Sequence, residues 1–374
     1  MKKLLIIQPA LAPYIIDEFN YLSQLFDIEV VFLFTNVSYY KFDQRKLLSH
    51  VHFKFSFLLK GPHCKERVFR FGILKAIRRF NPDIILGYEY SFTTQYLFLL
   101  KRLGLINQKI GSMIDDSLDI CNHVQSTTRF LARQISVKRL DYLIVLSSEV
   151  SKFYQNKFNL QDNRIIVSPL LQEPKRLRNN PEELERIANE YVEKYKLRGK
   201  KVLLYVGRFV PVKALTEFIN TINVVLREQE HIVFVLVGAG EERQNIETNV
   251  KDKNLENKVL LPGKFEGKEL YAWYLCASGF VLPSTYEPFG AVVNEALIFG
   301  SKVFCSQYAG ASSIIQSDCG MIFNPLDENE TVEKLKAFLN SIDIVDEVDM
   351  MNRPSLMSNT KEVFNTEWAK LTKD

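Results

Sequence analysis

The chain has 374 residues, 47% of them hydrophobic, a net charge of +4 and five cysteines at positions 64, 121, 276, 305 and 319. That length suggests two domains with ample material for two cores, and a charge this mild gives no reason by itself to infer nucleic acid. Cysteines that are scattered and odd in number exclude a disulfide scaffold and suit a reducing cytosol.

Met1-Lys2-Lys3 followed by residues 4–7 imitates a leader peptide, and Ala10-Leu11-Ala12 imitates its cleavage site. The apolar run stops at Gln8-Pro9, short of the roughly 7–15 residues a leader needs, so it reads as a buried first strand. No stretch approaches the roughly 18 apolar residues of a membrane span. Residues 1–170 then alternate apolar runs with amphipathic stretches, the pattern of βαβ units on a parallel sheet. Strands are expected over 4–7, 29–34, 83–87, 109–113 and 142–146. Loops at the carboxyl ends of such strands carry function, which points to 8–14, 88–93 and 115–122. Asp115, Asp116 and Asp119 lack the D-x-D order of a metal pair, and the five histidines form no ligand cluster; no metal site is expected.

Residues 41–80 are basic, with eleven Lys and Arg against Asp43 and Glu66, and Phe residues are interleaved throughout. The piece 67–80 can form a helix with Val68, Phe71, Ile73, Leu74 and Ile77 toward one side and cations opposite. Such a helix can lie on an anionic membrane surface; nucleic acid could use the same charges, and a core-packed helix with a solvated face is the plain alternative. Residues 165–170 read as a turn between domains, and the charged stretch 172–200, with an acidic helix over 182–196, as the lead-in to the second.

The second domain opens on strand 202–206 and Gly207-Arg208-Phe209-Val210-Pro211-Val212-Lys213. Gly207 permits a tight exit from the strand. Arg208 offers a planar fork and Lys213 a point charge, a suitable pair for a diphosphate. The G-x-G-x-x-R run from Gly238 lacks the third glycine of a dinucleotide fingerprint. After strand 279–282 comes Ser284-Thr285-Tyr286-Glu287-Pro288-Phe289-Gly290, then a helical pattern running through Asn294-Glu295-Ala296-Leu297. A helix start presents unpaired N–H groups and suits anions, here beside Phe289 and Gly290. Glu287 and Glu295 bracket that start, and carboxylates accept well from sugar hydroxyls. The stretch is built for a ligand carrying both phosphate and sugar.

The spacing of Glu287 and Glu295, with Phe289-Gly290 between them, resembles the E-x7-E motif of the retaining glycosyltransferases of family 4 (glycosyl transferases group 1). Gly207-Arg208 and Lys213 resemble that family's Gly-Arg…Lys-Gly segment, with Ala214 in place of the usual Gly. The resemblance covers 200–325 well and 1–170 more thinly. It implies the α/β GT-B architecture, two Rossmann-like domains facing a cleft. Residues 1–171 would be the acceptor side, with a carboxyl-terminal helix at about 356–374 packing back on it, and 172–355 the nucleotide-sugar side. It further implies that Arg208 and Lys213 hold the donor diphosphate, Glu287 meets the donor sugar, and Phe289 and Gly290 lie by sugar and diphosphate. Glu295 would hold the ribose, and Lys264 and Phe265 would lie on the base side. Asp116 stands near the position where relatives carry a His, which makes it an acceptor-side candidate. The implied activity is hexosyl transfer from a UDP-, GDP- or similar nucleotide sugar, without cofactor, to a glycan or lipid-linked hydroxyl with retention, in surface polysaccharide, lipopolysaccharide or glycolipid synthesis. The implied place is the cytoplasm, at the inner face of the plasma membrane if 41–80 binds it. A sugar-nucleotide epimerase of similar fold and a non-catalytic sugar-nucleotide-binding subunit are the alternatives.

Overall fold

A computed structural model describes residues 1–36, 42–64, 67–124, 126–357 and 360–372. The chain forms two compact units, Met1–Gln172 with Asn359–Asp374, and Glu173–Ser358.

The first unit is built on a parallel sheet of β1 (Lys3–Gln8), β2 (Asp27–Phe32), β3 (Lys54–Phe57), β6 (Ile84–Tyr88), β7 (Lys109–Ile114), β8 (Tyr142–Val145) and β9 (Ile165–Val167), in the order β3-β2-β1-β6-β7-β8-β9. A small antiparallel hairpin, β4 (His63–Cys64) and β5 (Arg67–Val68), stands apart from it. Central strands covered on both faces read as continuous apolar runs, and β1 is such a strand: Leu5 and Ile7 enter one core, Leu4 and Ile6 the other. The first of these cores is closed by the helices Ile73–Phe80, Phe92–Arg102, Thr127–Arg139 and Ser148–Phe158. The second is closed by the helix Ile16–Leu25 and by the carboxyl-terminal helix Thr360–Trp368. Trp368 is fully buried there, with its ring edge-on to Phe26 at 6.2 Å and its indole N–H donating to Ser168 Oγ at 3.0 Å.

Two sequence expectations are corrected here. Residues 165–170 are not only a connection, because β9 completes the first sheet beside β8. The helix expected over 67–80 is confined to Ile73–Phe80, since Val68 lies in the hairpin and Gly72 stands at the helix start in the left-handed region (φ 100°). Its apolar residues Ile73, Ala76 and Ile77 are buried in the core, so they cannot face a membrane. Lys41, Lys65 and Glu66 of that basic segment lie outside the described residues.

The second unit has a parallel sheet in the order β12-β11-β10-β13-β14-β15: β10 (Lys201–Arg208), β11 (Ile232–Ala239), β12 (Val259–Gly263), β13 (Gly279–Leu282), β14 (Lys302–Ser306) and β15 (Gly320–Phe323). The acidic helix Pro181–Lys194 is part of this unit rather than a bare linker. It buries Leu184, Ala188 and Val192, and its Tyr191 stacks on Trp273 at 4.6 Å. In both sheets the strand order reverses beside a first strand, β1/β6 in one and β10/β13 in the other. Open α/β sheets bind ligands in the crevice outside the strand ends at such a point.

Candidate functional site

In the second unit the reversal point brings together the loop after β10 and the loop after β13. Arg208 ends β10 and is exposed, and a short 3-10 turn, Pro211–Lys213, follows it. The turn's last residues are fastened to the other loop, because the Thr285 amide donates to the Val212 carbonyl at 2.9 Å. Lys213 Nζ donates to Glu287 Oε2 in an ion pair whose side chains are 11% and 13% exposed. The two charged residues nominated from separate segments are thus one pair, 74 positions apart in sequence. An ammonium has three N–H groups, so Lys213 can keep Glu287 and still donate to a phosphate oxygen.

The Glu287 loop is held from its other side as well. The Glu287 and Phe289 carbonyls accept from the Gly310 and Ala311 amides at 3.1 and 2.8 Å. Phe289 is buried. Gly290 caps the helix Ala291–Ile298 at φ 97°, a region that favours glycine. A methyl group there would lie 2.8 Å from Leu282 Cδ2 and 3.3 Å from Glu287 Cγ. The helix N-terminus carries no side-chain cap, so its first N–H groups stand beside the Glu287 loop as an anion-binding end. Three residues into this helix the side chains turn inward, and Glu295 accepts a 2.7 Å hydrogen bond from the Tyr274 hydroxyl.

Tyr205, fully buried on β10, ties the group together electrostatically. Its hydroxyl donates to the Arg208 carbonyl at 2.9 Å. Burial pushes the phenol well above its ordinary range, the Glu287 charge adds to that, and the Arg208 charge opposes it. Gly207 follows, and a methyl group on it would lie 2.6 Å from that hydroxyl. Lys264 pairs with Glu266 at 2.6 Å, and the Phe265 ring lies against Tyr191 and Trp273 at 5.7 and 5.8 Å. These two stand at the end of β12, on the opposite side of β11 from the Lys213–Glu287 pair.

The first unit has its own polar cluster where β1, β6 and β7 end. Asp116 is 2% exposed, and its Oδ1 accepts from Arg129 Nη2 at 2.5 Å. The same guanidinium reaches Glu89 Oε2 at 2.6 Å. Glu89 sits at φ 49°, unusual for a residue with a side chain. Desolvation first, then the Asp116 charge, pushes Glu89 up to about 8. Asp115 beside them is exposed, and the Asp116 charge works to raise it. Desolvation also raises Asp116 itself, against the opposing Arg129 charge. Glu18, 3% exposed, accepts from Ser168 Oγ at 3.1 Å and is raised by burial to about 8. Of this cluster only Asp116 was named from sequence as a site residue. Glu89 lies in the loop the strand pattern flagged, but Arg129 and Glu18 come from helices with no local signal. Asp119 is taken by His123 at 2.8 Å. Among the described residues no three His, Cys, Asp or Glu side chains could hold a metal ion.

Residues 188–349 match the family described as glycosyl transferases group 1. That match spans 162 residues, most of the second unit. Among curated relatives, the 2-deoxystreptamine N-acetyl-D-glucosaminyltransferase of Niallia circulans is 25% identical over 166 residues, 44% of this chain and 43% of that protein. A Campylobacter jejuni α-1,4-N-acetyl-D-galactosaminyltransferase, named for an undecaprenyl-diphosphate-linked glycan, is 25% identical over 367 residues, 94% of this chain and 91% of that one. Several curated relatives are matched over less than two thirds of their length. Among solved structures, Anabaena HepE in complex with UDP-glucose superposes with a TM-score of 0.70 at 14% identity, covering 100% of both chains. The architecture of two parallel-sheet units, with the matched residues in the second, is the GT-B fold.

Proposed function

We propose that the protein is a hexosyltransferase that moves a sugar from a nucleotide diphosphate sugar to a hydroxyl acceptor with retention of configuration. The observation that carries this reading is the Lys213–Glu287 pair, held at the strand-order reversal of the second unit beside the Gly290 helix cap. In the reaction the bond between the sugar's anomeric carbon and the diphosphate oxygen breaks. The acceptor oxygen bonds to that carbon, and its proton leaves with the diphosphate or passes to water. Negative charge grows on the leaving diphosphate, and fixed donors aimed at developing charge are the largest common source of catalysis. Lys213, Arg208 and the amides at the start of the helix Ala291–Ile298 take that role. Glu287 orients sugar hydroxyls, Glu295 accepts from the ribose, and Gly207, Phe289 and Gly290 let the backbone approach sugar and diphosphate. Lys264 and Phe265 take the base side. A UDP-sugar is the first donor to test, since Anabaena HepE, of the same fold, is solved in complex with UDP-glucose.

The acceptor side is assigned to the first unit, at Glu89, Asp115 and Asp116, where carboxyl groups gather at the ends of β6 and β7. The Campylobacter relative's name supports a glycan on a lipid diphosphate as acceptor, hence surface polysaccharide or glycolipid synthesis in the cytoplasm at a membrane. Among the described residues no helix is long and apolar enough to cross one.

The test is incubation with a panel of UDP- and GDP-sugars, following nucleoside diphosphate release with and without a bacterial lipid extract. Product from an α-linked donor analysed by proton NMR reads the configuration. Release from one donor, stimulated by lipid and giving an α-glycoside, is the expected result. A β-product would overturn retention. An isomerised sugar nucleotide with no glycoside formed would establish the epimerase. Binding of nucleoside diphosphates with no turnover of any donor would leave a sugar-nucleotide-binding subunit.

A further inference from the structure

We infer that the outer face of the first unit's helical layer, formed chiefly by the helices Phe92–Arg102 and Thr127–Arg139, docks on an anionic lipid bilayer. These helices cover the same core, so their outward residues share one surface. On the first, Phe92, Leu99 and then Leu103 recur at helical spacing; on the second, Leu131 and Ile135 do. With Phe71 beside them they are between 45% (Ile135) and 62% (Phe71) exposed. The surface is continuous at Phe71, whose ring contacts Phe69 at 5.8 Å, while Phe69 contacts Tyr96 of the first helix at 5.0 Å. Large apolar side chains grouped on one face mark an interaction surface, whereas single ones need no explanation.

Charge selects the occupant. The helices Ile73–Phe80, Phe92–Arg102 and Thr127–Arg139 contain no Asp or Glu. Lys101 is paired with Asp141, Arg79 with Glu29, and Arg133 is buried. Lys75, Arg78, Arg102, Lys138 and Arg139 stay exposed around the apolar residues. The fourth helix of the layer, Ser148–Phe158, adds one exposed acid, Glu149, against exposed Lys152 and Lys157. Apolar side chains rimmed chiefly by cations match the acyl boundary and headgroups of an anionic leaflet. This differs from the use of 67–80 expected from sequence, because there the apolar side of the helix is in the core. The inference rests on exposure and charge alone, and stands apart from the transferase assignment.

The test is flotation of the full chain with vesicles of phosphatidylcholine and phosphatidylglycerol in equal parts, against phosphatidylcholine alone. The wild type should float with the anionic vesicles only, and less so at high salt. Leu99→Asp/Leu131→Asp should weaken this roughly tenfold or more, since it puts two charges into the buried face. Arg102→Glu/Arg139→Glu should do the same without touching the apolar residues, which guards against a folding artefact. Leu326→Asp, at an equally exposed leucine of the second unit (67%), should change nothing. Flotation that is absent, equal on both vesicles, or unchanged in both double variants would overturn the inference. So would a wild-type dimer in sedimentation that Leu99→Asp/Leu131→Asp dissolves, with no vesicle binding. Donor hydrolysis without vesicles separates the two assignments: a chain that floats but turns over no nucleotide sugar keeps this surface and loses the transferase reading.

Discussion

Removing the Lys213 ammonium tests whether the ion pair with Glu287 is structural, catalytic or both. In Lys213→Ala the Glu287 carboxylate stays in its loop, 13% exposed, with its cation gone. Breaking a buried pair from one side costs about 3–5 kcal/mol, and slight solvent access reduces that to about 3 kcal/mol. The second unit runs from Glu173 to Ser358, which is 186 residues. At about 2–4 °C per kcal/mol for that size, its thermal midpoint should fall by roughly 6–12 °C. Turnover of the nucleotide sugar should fall by about 10²–10³, the usual effect of losing one preorganised donor at a developing charge. Lys213→Met/Glu287→Gln removes both charges and keeps the volume, so the midpoint should largely return while turnover does not. The assay is calorimetry beside kcat at a temperature where every variant is folded. A Lys213→Ala protein with wild-type midpoint and wild-type kcat would refute the reasoning, and recovery of turnover in the double variant would refute the catalytic half.

Ala214 holds φ 50° at the start of the helix Leu215–Glu228, a conformation that costs a side-chain-bearing residue about 1–2 kcal/mol. Ala214→Gly should therefore stabilise the second unit, by about 0.5–1 kcal/mol once the extra freedom of the unfolded glycine is subtracted, read by denaturant midpoint. Gly290→Ala should do the reverse, costing about 1–2 kcal/mol and raising donor KM, because the new methyl group meets Leu282 and the Glu287 side chain. Glu295→Ala should raise donor KM roughly tenfold or more, the value of a hydrogen bond to a charged group, with kcat little changed. Glu18, raised to about 8 by burial, takes up a proton on folding. The stability it contributes is fully present below its unfolded value and is lost as pH rises from about 4.5 to 8, by at most ~1.4 kcal/mol per pH unit. Glu18→Gln should flatten that slope in urea titrations across this window, and an unchanged slope would show that Glu18 folds ionised.

The second unit's candidate site was legible because its charged residues are local to strand ends and helix starts. Arg208, Lys213, Glu287 and Glu295 each lie within a few residues of a strand end or helix start that apolar runs and glycines announce. What the sequence could not show was that Lys213 and Glu287 pair with each other, since that depends on β10 and β13 being neighbours despite the three helices and two strands between them. Strand β3 escaped notice for a different reason. It is an edge strand whose Phe55 is exposed and whose neighbours are cationic, so it reads as part of a charged amphipathic segment rather than as sheet.

The first unit's polar cluster, where we place the acceptor, is assembled differently, and that explains why it stayed almost invisible. Glu18, Glu89, Asp116 and Arg129 come from two helices and two loops spread over more than a hundred positions, and no two share a motif. Any one of them alone looks like a solvated surface charge. They meet because β1, β6 and β7 are adjacent and parallel, so the segments following each strand converge on one edge. Burial then acts on the whole set. Arg129 supplies one positive charge to both Glu89 and Asp116, so ionising both leaves net negative charge in a poorly solvated place, and the cluster holds protons toward neutral pH. Replacing Arg129 by Gln would remove the charge that opposes this. Glu89 and Asp116 would be driven further toward their protonated forms, and the pH at which transfer reaches half its maximum should move upward if either must be ionised to hold the acceptor hydroxyl. A pH–rate profile for Arg129→Gln that overlays the wild type would separate this cluster from the chemistry and leave it a structural feature of the first sheet's edge.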